Sequence, residues 1–169
     1  MEQEPQPQAS PHVLIFPLPA QGHINSMLKL AELFALAGLK VTFLNTEYNH
    51  ERLVRHTDIR SRFAKYPRFG FQTIPDGLPQ DHPRVGHGFM EIFESLVLRT
   101  KPILREMLVN IKPTVDCIIG DGVLGLILDV ADELGIPIIQ FRTVSASSIW
   151  AYFAIPDMIE AGELPIRGM

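Results

Sequence analysis

The sequence predicts an α/β fold: a Rossmann-like, doubly wound parallel sheet with helices on both faces. Five short apolar runs typical of strands recur along the 169 residues, and segments with helical periodicity separate them. This alternation is typical of parallel sheets, because successive parallel strands need a crossover connection that is usually a helix. Since 46% of the residues are apolar, the chain can bury one core. We expect a disordered tail at 1–10 and one domain over 11–169.

The predicted strands cover residues 12–17, 40–45, 69–74, 115–120 and 136–141. A first helix is expected from about His23 to Ala37, because its apolar residues recur with helical spacing. A shorter helix is expected near 47–55, and a helix near 123–134 has apolar residues on one face. Residues 86–111 should be helical with a break or kink at Pro102, since proline removes a backbone donor.

Composition excludes several classes of partner. The net charge is −4 and the basic residues are scattered, so we expect no nucleic acid and no anionic membrane surface as main partner; a small neutral molecule fits better. The lone cysteine, Cys117, cannot form an internal disulfide, and its apolar surroundings predict a buried thiol in a reducing compartment. No apolar stretch is long enough to span a membrane, and the N-terminus is acidic and proline-rich. We therefore expect a cytoplasmic protein.

The unusual residues fall where predicted strands end. In a parallel sheet these carboxyl ends share one edge, where ligands bind. His23 follows the first strand and Asp121 follows the fourth, so a doubly wound sheet would bring them together. There, His23 could take a proton from a substrate hydroxyl while Asp121 orients the imidazole. The alternative is structural: His23 satisfies backbone groups at a helix start and Asp121 is the N-cap of the fourth helix.

Residues 120–125 match the dinucleotide-binding pattern G-x-G-x-x-G after a strand and before a helix. An NADP-dependent oxidoreductase is therefore an alternative, with Arg142 meeting a 2′-phosphate. Against it, Asp121 would place a carboxylate where pyrophosphate needs backbone N–H groups. The pattern also follows the fourth strand instead of the first.

The loop after the third strand contains His82 and His87, but no third ligand is spaced to complete a metal site, so we expect no metal. A substrate-facing loop is the favoured interpretation. Phe89 and Phe93 follow at helical spacing and could line an apolar pocket or belong to the core. No Ser or Cys nucleophile motif, P-loop or paired zinc cysteines occur in the sequence.

Over residues 11–169 the chain resembles the N-terminal domain of plant UDP-dependent family 1 glycosyltransferases. Four motifs carry the resemblance in the family's order: FPLPAQGHIN at 16–25, FLNTEYNH at 43–50, IPDGLP at 74–79 and IGD at 119–121. The run NSMLKLAEL at 25–33 is most similar to members that glucosylate iridoids and other small terpenoids.

The resemblance implies half of a GT-B fold, in which two Rossmann-like domains enclose the active site. It implies a metal-independent, inverting transfer of glucose from the co-substrate UDP-glucose, without a cofactor, to a hydroxyl or carboxyl group of a small iridoid, terpenoid or phenolic acceptor. His23 corresponds to the base, Asp121 to its supporting aspartate, and Thr143 to a residue near the donor sugar. We expect the apolar acceptor to meet Gln21, Gly22, His87, Phe89, Phe93 and Arg142.

In this family a tryptophan-containing box of the C-terminal domain binds most of the UDP-sugar. The chain stops at Met169, and Trp150 is its only tryptophan, so that domain is expected to be absent. We expect the 169 residues alone to be inactive. The alternative is a truncated, non-catalytic module that binds a small molecule.

Overall fold

The computed structural model describes residues 10–166, apart from the side chain of His87; the predicted tail at 1–10 lies outside this range except for Ser10. Its sheet has five parallel strands in the order β3-β2-β1-β4-β5. The strands are β1 (His12–Phe16), β2 (Lys40–Thr46), β3 (Phe69–Ile74), β4 (Cys117–Asp121) and β5 (Ile138–Phe141). All five predicted strands are confirmed, although β4 and β5 begin two residues later than expected.

Seven α-helices accompany the sheet in the described range: α1 (Gln21–Leu36), α2 (Glu47–His56), α3 (Ile59–Phe63), α4 (Phe89–Ser95), α5 (Lys101–Asn110), α6 (Gly125–Leu134) and α7 (Ala146–Glu160). The predicted break near Pro102 occurs slightly earlier. A π-helical turn, Leu96–Thr100, joins α4 to α5, and Pro102 lies in the first turn of α5. Pro102 has no N–H to donate, and a first helical turn needs no such donor, so α5 begins there.

The sheet separates two apolar clusters, because successive side chains of a strand point to opposite faces. Leu14 and Phe16 of β1 belong to a cluster with residues of α4, α5 and α6. Val13 and Ile15 belong to a second cluster with residues of α1 and α3. Every residue of β1 is buried. Helices therefore cover both faces, as the doubly wound prediction requires.

Helix α7, by contrast, has no buried residue. Its apolar side chains include Trp150 and Phe153, which are 77% and 72% exposed. Within residues 10–166, no helix has both the length and the apolar character needed to cross a membrane. Cys117 is a free thiol at the start of β4 and is partly buried, and this burial raises its pKa.

Candidate active site

His23 and Asp121 meet at the carboxyl edge of the sheet. Asp121 is the last residue of β4, and His23 is the third residue of α1, which follows β1. Because β1 and β4 are neighbours, the structure brings the two side chains together, with Nδ1 of His23 2.6 Å from Oδ2 of Asp121. The carboxylate side chain is 1% exposed and the imidazole 24%. The pair therefore joins a buried carboxylate, which accepts hydrogen bonds, to an imidazole ring that solvent or a ligand can reach.

Two backbone N–H groups also hold the Asp121 carboxylate. Leu18 donates to Oδ2 over 3.1 Å and Val123 donates to Oδ1 over 3.2 Å. A buried carboxylate is costly unless hydrogen bonds replace its lost water, and these contacts provide that replacement. The alternative in which Asp121 is the N-cap of the fourth helix is wrong, because the N-cap of α6 is Leu124.

These contacts define which nitrogen of His23 faces outward. A carboxylate only accepts hydrogen bonds, so the Nδ1–Oδ2 contact requires the proton on Nδ1 and leaves the lone pair on Nε2. Thr143 lies beside the ring, with Oγ1 2.9 Å from Nδ1 and 3.5 Å from Nε2. Its hydroxyl therefore helps to hold the imidazole. Ser145, two residues later, is the N-cap of α7, and its hydroxyl oxygen accepts a hydrogen bond from the N–H of Ser148.

A cavity of about 590 Å³ lies next to the first turn of α1. Its walls come from residues around the start of α1, from α2, from the loop at 83–86 and from α4. This volume is in the range of small-molecule sites. Two of the six predicted acceptor residues, Gln21 and Phe89, line the cavity.

The structure places the other predicted acceptor residues differently. Phe93 packs edge to face on Phe89, with ring centroids 5.5 Å apart, and both rings contact the core. Gly22 is exposed in the first turn of α1 and is not a lining residue. Arg142 extends over the β4–α6 turn, and the side chain of His87 lies outside the described part of the chain.

Arg142 also explains part of the dinucleotide-like pattern. A Cβ added to Gly122 would lie 2.6 Å from Cδ of Arg142, so the exposed arginine side chain packs directly over this glycine and would have to shift for any larger residue. At Gly120 an added Cβ would lie 3.1 Å from Ile127. Together with the N–H group of Val123 already donated to Asp121, these contacts show that the turn is filled by protein groups. The geometry therefore disfavours a pyrophosphate site here.

Arg84 organises the loop that forms one cavity wall. Its guanidinium donates to both carboxylate oxygens of Asp76, over 2.7 and 3.1 Å, and both side chains are largely buried. It also donates to the carbonyl oxygens of Leu78, Pro79 and His82. Arg84 has φ 54°, a conformation that is unfavourable outside glycine, and these contacts compensate for it.

The role of Arg84 could not be predicted from the sequence, because it depends on the shape of the folded loop. Tyr48 and Arg52 also line the cavity, and the sequence contains a pattern from which this could have been predicted. They lie four residues apart on a predicted helix that starts at a strand's carboxyl end, and this spacing places both side chains on one helix face.

His82, considered above as a metal ligand, contacts Glu91 over 3.0 Å and accepts the N–H of Arg84. Among the described residues, no group of three or more His, Cys, Asp and Glu side chains is arranged to hold a metal ion.

The fold and site together define an α/β domain with a parallel sheet, a cavity at the start of α1 and, at the carboxyl edge of the sheet, a histidine paired with a buried carboxylate. The family model described as "Glycosyltransferase, N-terminal domain" matches residues 10–108, more than half of the chain. The chain therefore belongs to the glycosyltransferase N-terminal domain family. This membership argues against the oxidoreductase alternative.

Two plant relatives match almost the whole chain. It is 54% identical over 166 residues to a 7-deoxyloganetic acid glucosyltransferase of Catharanthus roseus, with 94% of this chain and 34% of the relative covered. It is 44% identical over 161 residues to a myricetin 3-O-rhamnoside 1,2-glucosyltransferase of Crocosmia x crocosmiiflora, with coverages of 94% and 33%. The chain thus spans about a third of the length of these relatives.

Solved structures match the same region. Arabidopsis thaliana UGT89C1 complexed with UDP has a TM-score of 0.70 and 28% identity, with 84% of this chain and 38% of that chain covered. UGT89C1 complexed with quercetin has a TM-score of 0.69 and 27% identity, with coverages of 83% and 36%. The described sheet and helices correspond to the N-terminal half of a GT-B fold, as predicted.

Proposed function

We propose that this chain is the acceptor-binding, base-supplying half of an inverting UDP-glucosyltransferase that acts on a hydroxyl or carboxyl group of a small natural product. The observation that carries the proposal is the 2.6 Å contact between His23 and Asp121. His23 belongs to the first turn of α1, in which Gln21 and Ile24 line the cavity. A histidine with a carboxylate on Nδ1 and a lone pair on Nε2 is the arrangement of a general base.

In the proposed reaction, Nε2 of His23 removes the proton from the acceptor oxygen. That oxygen forms a bond to the anomeric carbon of UDP-glucose while the bond from this carbon to the β-phosphate oxygen breaks. UDP leaves with the electron pair, and attack from the opposite face inverts the anomeric centre. Asp121 stabilises the imidazolium that forms, and Thr143 keeps the ring in place or, as the resemblance implies, contacts the donor sugar.

The cavity supports a small acceptor with a largely apolar body. Ile24, Leu53 and Phe89 are among its apolar lining residues, and Gln21 and Asn49 add polar groups. The relatives are named for 7-deoxyloganetic acid and a myricetin rhamnoside, and one UGT89C1 structure holds quercetin. We therefore favour a terpenoid or phenolic acceptor, bound without a metal or further cofactor.

The donor is assigned mainly to the part of the full-length relatives that lies beyond the matched third. A GT-B enzyme binds its substrates between two domains, and UGT89C1 has been solved with UDP. We also propose that the protein works in the cytoplasm, because a lone, partly buried thiol fits a reducing compartment.

The test is a chimaera in which residues 1–169 replace the matched third of the Catharanthus roseus 7-deoxyloganetic acid glucosyltransferase. It should transfer glucose from UDP-glucose to 7-deoxyloganetic acid. His23→Ala should lower kcat by ~10² to 10⁴, the usual contribution of a positioned general base. The control is Ser26→Ala, which changes the next turn of the same helix and should preserve activity.

A folded chimaera that binds the acceptor but transfers no glucose would support the alternative, a non-catalytic binding module. Unchanged kcat in the His23→Ala chimaera would remove His23 from the mechanism.

A further inference from the structure

We infer that the acceptor bears a carboxylate, and that Arg52 on the α2 wall of the cavity binds it while a different oxygen of the same acceptor reacts at His23. This inference rests on the proposed function, because it concerns the ligand of the same cavity.

The charged side chains that line the cavity are all basic. Its sixteen lining residues include Arg52, Arg84 and His56 but no aspartate or glutamate. A concave site lined by one sign of charge concentrates ligands of the opposite sign.

The two arginines differ in what they can offer a ligand. Arg84 is buried and paired through both carboxylate oxygens of Asp76, so its charge is already compensated. Arg52 is exposed, and among residues 10–166 its guanidinium has one polar partner, the Tyr48 hydroxyl, 3.1 Å from Nη1. Most of its N–H donors therefore remain available to a ligand in the described structure.

Tyr48 gives the Arg52 guanidinium a preferred position. The guanidinium carbon of Arg52 lies 5.5 Å from the centroid of the Tyr48 ring, and that of Arg84 lies 4.1 Å from the same centroid. Since Arg84 is itself held by Asp76, the phenol ring is supported from the loop side. An arginine that is already oriented loses less side-chain entropy when it binds a ligand.

The geometry of a guanidinium favours a carboxylate in particular. Its planar pair of N–H donors matches the two oxygens of a carboxylate, which gives a bidentate, charge-assisted contact. His56, one helical turn after Arg52, also lines the cavity and can add a hydrogen bond. A relative at 54% identity is named for an acid, 7-deoxyloganetic acid.

With the carboxylate at Arg52, two different groups of the acceptor are responsible for binding and for reaction. Arg52 holds the carboxylate on the α2 side, while the cavity also reaches Gln21 and Ile24 of the first turn of α1. His23 belongs to the same turn but is not itself a lining residue of the cavity. The oxygen presented to Nε2 of His23 is then a hydroxyl oxygen. The glucose would form an O-glycoside and not a glucose ester.

The experiment compares two probes, 7-deoxyloganetic acid and its methyl ester, which differ in the negative charge. Their affinities for the 169-residue chain are measured by isothermal titration calorimetry. The acid should bind at least about 10-fold more tightly than the ester, as expected for a hydrogen-bonded ion pair. Arg52→Met should remove this preference, so that the acid binds no more tightly than the ester, and Arg52→Lys should restore part of it.

The matched control is Arg55→Met. Arg55 lies on the same helix and is exposed, but it does not line the cavity, so its loss should leave the acid-to-ester ratio unchanged. The kcat/KM for the acid divided by the kcat/KM for the ester, measured with the chimaera described above, tests the same prediction in a two-domain protein.

The outcomes distinguish failure of this inference from failure of the proposed function. Equal binding of acid and ester, or a ratio that Arg52→Met leaves intact, would contradict the inference and leave the acceptor-site proposal standing. Binding of neither probe to the chain, together with an inactive chimaera, would contradict the proposed function, and the inference would fall with it. His23→Ala should reduce kcat for acid and ester alike, which distinguishes the base from the residue that recognises charge.

Discussion

Nδ1 of His23 and Oδ2 of Asp121 lie 2.6 Å apart although 98 residues separate them in the chain. The sheet topology creates this contact, because β1 and β4 are adjacent, β4 ends at Asp121, and the helix that follows β1 carries His23. The buried carboxylate then determines which imidazole nitrogen can accept a proton.

Asp121→Asn should lower kcat of the chimaera by at least about 10²-fold with little change in KM. The amide keeps the size of the side chain but removes the charge that stabilises the imidazolium and selects the tautomer. Steady-state kinetics would measure the effect, and circular dichroism would verify that the variant folds. An unchanged kcat would show that the carboxylate only positions the backbone of Leu18 and Val123.

The sequence predicted this pair and the sheet that carries it, because both depend on regular patterns. Apolar runs and helical spacing identify strands and helices, and parallel topology places strand ends on one edge. Irregular features of the structure were harder to predict from the sequence. The π turn before Pro102 accommodates a proline inside a helical pattern, and the position of Arg142 over Gly122 depends on side-chain packing. Arg84 was missed because its partners, Asp76 and three carbonyl groups, come together only once the loop is folded.

Arg84→Met should destabilise the domain by about 3–5 kcal/mol, because it leaves the buried Asp76 carboxylate without its cation. Adding Asp76→Asn should recover part of this loss, since the uncompensated charge is then gone. Urea unfolding of the two single variants and the double variant measures the coupling. Lys101→Met, which removes an exposed ion pair with Asp129, is the control and should have little effect. Simple additivity of the Arg84 and Asp76 substitutions would contradict this account of the loop.

Gly77→Ala should be more destabilising than Gly38→Ala. Both glycines have positive φ, 76° and 83°, so each substitution carries the backbone penalty of about 1–2 kcal/mol. At Gly77 an added Cβ would also lie 2.7 Å from Oγ of Ser95 and from Cδ of Arg99, whereas nothing lies within 4 Å at Gly38. The difference in unfolding free energy isolates the steric contact between the loop and the helix. Equal losses would mean that the 77–79 loop can move away at no cost.

Acid should weaken the fold partly through His50. Burial lowers the pKa of this imidazole, and the charge of Arg60 lowers it further; the ring packs on Phe71 with centroids 5.2 Å apart. The unfolded chain therefore binds the proton more readily than the folded chain. The stabilising contribution is fully present above the ordinary histidine pKa of ~6.5 and is lost as the pH falls towards the lower, folded-state value.

Urea unfolding between pH ~7.5 and pH ~5.5 should show this decline, and His50→Gln should reduce its slope. His56→Gln, which changes an exposed histidine of the same helix, is the matched control. A slope identical in the wild-type and His50→Gln chains would contradict the assignment.

The central claim is that His23 holds its proton on Nδ1, towards Asp121, and offers Nε2 as the base. Long-range ¹H–¹⁵N correlation spectra of the ¹⁵N-labelled chain report the protonated nitrogen of each histidine, and the His23→Ala spectrum assigns the signal. The measurement is made in mildly alkaline buffer, where histidine side chains are ordinarily neutral. We predict the Nδ1–H tautomer for His23 in the wild-type chain and its loss in Asp121→Asn. A wild-type His23 found as the Nε2–H tautomer would have its lone pair on Nδ1, towards Asp121, and none on Nε2 for the acceptor, which would contradict the account.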